Sequence, residues 1–271
     1  SYVHMERVLI RDLHDHIGDE VTVMGWVDIR RDHGKLIFVD LRDRSGILQM
    51  VAIPSHEEAH AMASTIRPEW TIEVTGLVKQ RPEKMVNKNI PSGDIELEIT
   101  SLSVLAKAAE LPFEKDADVN LDTLLDYRPL TLRNQRERDI FSVQATIVDS
   151  YRNALRKRDF TEFQAPALVG SDAEGGAAAF KVQYFYNKQA FLATSPQLYK
   201  EIMVGPFERA FTIAKIFRAE KHATTRHLSE LTQMDFEMGF IRNHLDVMAI
   251  LEEVVRDVVT EVGDRHADVF S

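Results

Sequence analysis

Over the first third of the chain, apolar and polar residues alternate in short stretches, the period of a strand with one buried face. Residues 21–28 alternate in this way, Asp32-His33-Gly34 interrupts as a turn, and residues 36–41 resume the pattern. Asp43-Arg44-Ser45-Gly46 is a second turn, ahead of an apolar run over residues 47–53. Pro54-Ser55-His56-Glu57-Glu58 then opens a helix, with Ser55 predicted as N-cap and Glu58 completing a capping box; its expected end is near Ile66, before Pro68. Strands resume over 70–79 and 94–104. Five strands with one helix between the third and fourth is the layout of an OB-fold barrel, a common reader of single-stranded nucleic acid.

Residues 105–136, with Pro112, Pro129 and several acids, read as a linker. Beyond them the period changes. Ile140, Val143, Ile147, Tyr151 and Leu155 recur at helical spacing and predict a long amphipathic helix over 135–158. Short strands are expected near 163–168, 180–184, 190–193, 210–219 and 233–241, and a last helix over 245–262. The fold class is therefore α+β: a barrel in 1–104, a linker in 105–136, and a mixed sheet-and-helix unit in 137–271. Ser1-Tyr2-Val3-His4, ahead of Met5, reads as the remnant of an expression tag.

Composition narrows the setting. The chain has 271 residues, 44% of them hydrophobic and 28% charged, as in an ordinary globular protein. No apolar run approaches the ~20 residues of a membrane-spanning helix, so no membrane partner is expected. The chain has no cysteine, which excludes disulfides and thiolate metal sites and suits a reducing cytoplasm. A net charge of −10 argues against indiscriminate coating of nucleic acid. A local patch can still bind it, and Arg30, Arg31, Lys35, Arg42 and Arg44 form one basic cluster in the sequence.

The most informative chemistry lies between Phe211 and Phe240. Period-two alternation puts Arg218 and Glu220 on one face of a first strand, and Gln233, Asp235 and Glu237 on one face of a second. Residues 221–231 are polar and short enough to join the two as an antiparallel pair. The shared face would carry a guanidinium, carboxylates and an amide. That chemistry suits a small zwitterion together with phosphate, since a carboxylate holds an ammonium and an arginine forks onto carboxylate or phosphate oxygens. A structural ion-pair network would produce the same pattern.

The stretch FRAEKHATTRHLSELTQMDFEM, Phe217 to Met238, closely resembles motif 2 of the class II aminoacyl-tRNA synthetases, in the aspartate, asparagine and lysine subgroup. ATSPQLYKE (Ala193 to Glu201) resembles the amino-acid-binding segment of its aspartate-specific members, and DAEGG (Asp172 to Gly176) the loop that closes over aspartate. Pro166 sits where motif 1 places a dimer-interface proline. WVDIRRDHGKLIFVDLRDRSGILQM, Trp26 to Met50, resembles the subgroup's anticodon-binding barrel, and the likeness as a whole is to archaeal and eukaryotic forms. The resemblance implies attachment of aspartate to its tRNA through an aspartyl-adenylate, using ATP and Mg2+, by a cytoplasmic homodimer. It implies that Arg218 bridges the substrate carboxylate and the α-phosphate, that Glu220 contacts the adenine side, and that Arg226 and His227 lie near the outer phosphates. Asp235, Ser195 and Gln197 would hold the substrate ammonium, Gln233 its α-carboxylate, Lys200 its side-chain carboxylate, and Glu174 would belong to the closing loop. In the barrel, Phe38 would stack on an anticodon base, with Arg31, Gln49 and Glu96 at base edges.

Several departures temper these implications. The family's G-x-G-x-x-R third motif, the metal-binding carboxylates before it and a second substrate arginine are not found in these residues, so this stretch alone is expected to bind poorly and be nearly inactive. Leu231 replaces an adenine-stacking phenylalanine, Thr194 a glutamine, and Asp159 a glycine. His56-Glu57-Glu58-Ala59-His60 matches the zinc-protease pattern H-E-x-x-H, but no third ligand is evident and a solvent-facing helix is the expected reading. The rival functions are an asparagine–tRNA ligase, disfavoured by Lys200 after Ser195-Pro196-Gln197, and a non-catalytic RNA-binding relative.

Overall fold

In the computed structural model, residues 6–171, 178–221, 224 and 227–270 are described. The chain divides into two compact units, one up to Glu114 and the other from Lys115 onward.

The first unit is a closed barrel. Strands β1 (Glu20–His33), β2 (Leu36–Arg42), β3 (Ile47–Ala52), β4 (Thr71–Gln80) and β5 (Ile95–Ala106) close in the order β1-β2-β3-β5-β4, with α1 (Glu57–Ala63) between β3 and β4. Alternation drives the inward residues Val23, Val39, Leu41, Leu48, Met50, Ile72 and Leu97 into one core, as the sequence pattern predicts. A 3-10 turn over Ile10–His16 adds Ile10 and Leu13 to that core. It is pinned by the Asp43 carboxylate, which accepts from the Ile10 amide at 3.0 Å and from the Ser45 amide at 2.6 Å. The same aspartate thus builds the β2–β3 turn and anchors the segment below it. Gly76 sits where β4 shifts register against β5, and a Cβ there would lie 2.3 Å from the Glu98 carbonyl oxygen, so no other residue fits without movement.

The capping box is not formed. His56, not Ser55, occupies the N-cap of α1 and makes no side-chain cap bond; the helix begins at Glu57 and ends at Ala63, short of Ile66. Arg42 also leaves the basic cluster. It is buried and paired with Asp28 and, through both carboxylate oxygens at 2.9 and 3.0 Å, with Glu69.

In the second unit, two short helices, α2 (Leu121–Asp126) and α3 (Arg128–Thr131), precede α4 (Gln135–Arg156). Asn120 and Asn134 cap α2 and α4, their side-chain oxygens accepting from the amides of Thr123 and Arg136. The α4 helix ends in a Schellman motif: Phe160 N–H reaches the Leu155 carbonyl at 3.2 Å and Asp159 N–H reaches Arg156 at 3.2 Å, with Asp159 at φ +62°. Asp159, in this left-handed position, is the residue expected from the sequence resemblance to replace a glycine.

The expected strand over 163–168 is displaced. Two-residue strands β6 (Thr161–Glu162) and β7 (Leu168–Val169) flank that stretch, which is itself irregular. β8 (Lys181–Gln183) and β9 (Gln189–Leu192) form a hairpin, and β7 joins it in the order β7-β9-β8. Helix α5 (Gln197–Phe207) follows, which periodicity did not predict. Then β10 (Arg209–Phe217) and β11 (Glu230–Met238) pair antiparallel, β6 joins β10 in parallel, and α6 (His244–Arg265) closes the unit. One face of the β10–β11 pair packs Phe211, Ile213, Phe236 and Met238 against Tyr151 and Leu155 of α4 and Val254 of α6. Arg158 binds α6 across this packing, to Glu253 at 2.9 Å and Asp257 at 2.8 Å.

Candidate functional site

The other face of the β10–β11 pair is polar. Directly opposed residues of antiparallel strands share a face. The register sets Ala210, Thr212 and Ala214 opposite Glu237, Asp235 and Gln233. Small residues on β10 therefore leave room over the long polar side chains of β11. Helix α5 covers this room, and its i, i+3, i+4 face presents Gln197, Lys200 and Glu201.

The result is a connected polar network. Lys200, only 4% exposed, places its Nζ 2.7 Å from Asp235 Oδ1 and 3.4 Å from Glu237 Oε2. Gln233 Nε2 donates to Asp235 Oδ2 at 2.7 Å. Gln197 Nε2 donates to Glu201 Oε1 at 2.8 Å and reaches Glu237 Oε2 at 3.4 Å. Ser195, also buried, accepts from the Gln197 amide at 3.1 Å and so orders the start of α5. An ammonium held out of water is costly unless paired, and here it has two carboxylates within reach. The sequence-predicted residues Ser195, Gln197, Lys200, Gln233 and Asp235 are thus gathered at one place.

Two buried hydroxyls lie on either side of the sheet here. Thr212, opposite Asp235, is fully buried and its hydroxyl has no hydrogen-bond partner among the described residues; the same holds for the Tyr151 hydroxyl on the packed side of the sheet. Burial pushes the Tyr151 phenol well above its ordinary range, and the Asp235 charge adds to this.

The remaining predicted residues are placed differently. The β10 strand stops at Phe217, so Arg218 and Glu220 lie beyond it rather than alternating within it. Arg218 keeps the pairing for one more step, its amide donating to the Ser229 carbonyl at 3.0 Å. Glu220 turns aside and accepts from the Ala178 amide at 3.3 Å. His227 is exposed in the connection, its Nδ1 2.6 Å from the Thr224 hydroxyl. Glu174, with the rest of the DAEGG segment, and Arg226 lie outside the described residues. Pro166 is exposed between β6 and β7, and Leu231 and Thr194 border the polar face, Thr194 buried. Glu237 is the residue that sequence reasoning set on this face without giving it a role.

The barrel carries a second cluster, on its outer surface. Arg31 and Phe38 are register partners on β1 and β2, as are Asp40 and Gln49 on β2 and β3. Arg31 forks onto Asp40 at 2.7 and 2.8 Å. Gln49 donates to Glu96 of β5 at 3.2 Å, which brings the four predicted residues into one patch. Phe38 is half-buried, lies outside the core, and meets His33 edge-on with ring centres 5.6 Å apart. On α1, His60 Nε2 lies 3.0 Å from the Lys35 carbonyl oxygen. Among the described residues no three His, Asp or Glu side chains gather to hold a metal ion, and no helix is long and apolar enough to cross a membrane.

Comparison with known proteins matches both units. Residues 120–270 fit the family described as tRNA synthetases class II (D, K and N), and residues 21–105 fit the OB-fold nucleic acid binding domain. An aspartate–tRNA(Asp/Asn) ligase of Thermus thermophilus is 41% identical over 267 residues, covering 96% of this chain and 60% of its own length. One from Archaeoglobus fulgidus is 41% identical over 255 residues, covering 92% and 57%. The chain thus spans about three fifths of these relatives. Among solved structures, asparaginyl-tRNA synthetase from Pyrococcus horikoshii with asparaginyl-adenylate superposes at a TM-score of 0.88, with 31% identity over 97% of this chain and 60% of that one. A putative aspartyl-tRNA synthetase from Leishmania major gives 0.87 at 26% identity, over 99% and 55%.

Proposed function

Because the chain belongs to the class II tRNA synthetases that handle aspartate, lysine and asparagine, we propose that it serves ATP-dependent attachment of aspartate to its tRNA through an aspartyl-adenylate. One observation carries the choice of aspartate. Lys200 is a buried cation held against Asp235, on the face that β10, β11 and α5 enclose. An entering aspartate brings its own ammonium to Asp235 and its own side-chain carboxylate to Lys200. The ion pair is then exchanged rather than broken, and neither charge is left uncompensated. Asparagine offers Lys200 only a neutral amide, a loss that a site built for a charged partner penalises.

Around that exchange the other roles follow. Gln233, bound to Asp235, would turn its amide to the α-carboxylate. Ser195 and Gln197 line the ammonium side. Arg218, at the end of β10, would meet the substrate carboxylate and the α-phosphate and stabilise charge that develops as the adenylate forms. Glu220 would lie at the adenine, with Arg226, His227 and Glu174 around the phosphates and the closing loop. Magnesium would enter with the ATP phosphates. In the barrel, Phe38 would stack on an anticodon base, with Arg31, Gln49 and Glu96 at base edges. Dimerisation would use Pro166 and the exposed Ile140 and Phe141 of α4, which light scattering would test, and the setting would be the cytoplasm.

Calorimetric titration of the chain with L-aspartate, L-asparagine and L-lysine tests the assignment. Aspartate is expected to bind most tightly, and Lys200→Met to erase its lead over asparagine. Asparagine binding at least as well as aspartate to the unaltered chain would reverse the choice. Aspartate-dependent exchange of pyrophosphate into ATP, measured on a protein that also carries the family's third motif, is the matching activity, and Arg218→Ala is expected to abolish it.

A further inference from the structure

The hairpin between β8 and β9 carries an unusual surface. Tyr184, Phe185 and Tyr186 are consecutive and exposed, Phe185 to 73% and Tyr186 to 90%, and Phe180 at the foot of β8 is exposed as well. Large aromatic rings so fully in water are normally kept where something else covers them. The turn itself is tight. Lys188 N–H donates to the Phe185 carbonyl at 3.2 Å, and the two central residues, Tyr186 and Asn187, have φ of +58° and +57°. Both angles belong to a primed turn, which glycine or asparagine fills at little cost; a tyrosine there is strained by about 1 kcal/mol. The strain sits under the most exposed ring.

Charge points to the kind of partner. In a chain with 43 acidic residues among 271, the stretch from Ala178 to Lys200 contains no Asp or Glu, yet holds Lys181, Lys188 and Lys200. Lys181 and Lys188 are exposed on the hairpin. The Glu220 carboxylate at its foot is engaged by the Ala178 amide. Exposed rings interleaved with lysines in an acid-free segment match the chemistry of single-stranded nucleic acid binding, where bases stack on aromatic faces and cations follow the phosphates. The hairpin also leads straight to the polar face. β9 continues through Ala193 and Thr194 into Ser195, so the turn is at most about 26 Å of extended chain from the gathered residues.

We propose that this hairpin is a stacking platform for the unpaired 3′ end of a tRNA, steering its last nucleotides toward the face that holds Lys200 and Asp235. This rests on the tRNA-ligase reading above and names a contact of that same site. The test uses the chain and two labelled transcripts of an aspartate tRNA, one complete and one lacking the unpaired 3′ nucleotides, with affinity read by fluorescence anisotropy. Phe185→Ser combined with Tyr186→Gly removes both rings while glycine suits the turn, so the fold is kept; Lys188→Gln leaves the two central turn residues untouched. The double variant is expected to bind the complete transcript about fivefold or more weakly, the loss of at least one stacked base, and the truncated transcript as the parent does. Lys188→Gln is expected to weaken the complete transcript less and to lower the salt dependence.

Unchanged affinity for the complete transcript overturns the proposal, as does an equal loss with both. So does unchanged RNA affinity in a double variant that has lost a concentration-dependent rise in mass shown by the parent; the rings would then join copies of the chain. Phe38→Ala separates the two readings, since it is expected to weaken both transcripts alike through the barrel. If the parent binds neither transcript, the tRNA reading fails and this one with it.

Discussion

Replacing Lys200 by Met tests whether the buried ammonium is structural or is held for exchange with a ligand. Lys200 Nζ sits 2.7 Å from Asp235 and 3.4 Å from Glu237. Its removal leaves two like charges two residues apart on one strand face, with the Gln233 amide still bound to Asp235. Breaking a fully buried pair costs about 3–5 kcal/mol. Both carboxylates keep some access to water here, which reduces the expected loss to about 2–3 kcal/mol, or a fall of about 5–10 °C in Tm for a unit of this size. The double variant Lys200→Met with Asp235→Leu removes the nearer of the two charges, leaving the more exposed Glu237 to Gln197, and is expected to return to within about 1 kcal/mol of the parent, since an apolar pair replaces the closer ion pair at little net cost. Urea unfolding followed by the helical circular-dichroism signal reports the second unit. Both tryptophans, Trp26 and Trp70, lie in the barrel, so their fluorescence transition should stay in place and serves as an internal control. A single variant as stable as the parent, or a double variant as unstable as the single one, would refute the exchange argument.

Arg42→Leu removes the buried cation that Asp28 and Glu69 share and is expected to cost about 3–5 kcal/mol, read as a lower urea midpoint of tryptophan fluorescence; an unmoved midpoint would show that the triad is hydrated after all. Tyr151→Phe deletes a buried hydroxyl that has no partner among the described residues, so stability should rise by about 1 kcal/mol. A drop in Tm in that variant would reveal a bond the hydroxyl does make. Asp159→Gly relieves a side chain at φ +62° at the end of α4 and should add up to about 1 kcal/mol in chemical denaturation, with the helix signal unchanged.

The parts of this structure that sequence reading captures are those set by local period. Alternation over Gln233, Asp235 and Glu237 puts all three on one face, and the register confirms it. The antiparallel pair, the barrel strands and both long helices follow in the same way. Lys200 escaped the geometric reading because α5 begins after Pro196 and carries Gly205 and Pro206 near its end, signals that argue against a helix. Its partner Asp235 is also 35 residues away. β6 and β7, at two residues each, are too short to show any period. The false capping box at Ser55 shows the converse, a local motif that the chain direction at His56 overrides.

The basic cluster of the barrel shows most clearly why charge counted along a sequence does not predict a charged surface. Five cations fall between residues 30 and 44, yet Arg42 is spent inside on Asp28 and Glu69, Arg31 is forked onto Asp40, and Arg30 pairs with Asp32 at 2.9 Å. Each neutralising carboxylate lies on β1, β2 or the segment before β4, and pairing across strands is invisible to composition. Counterion release scales with cations available to phosphate, so three paired arginines contribute less than their number suggests. Stacking carries no such discount, because an aromatic face needs only to be uncovered. An RNA bound on this face of the barrel would therefore gain more from Phe38 than from the arginines beside it, and its affinity would fall only shallowly with salt.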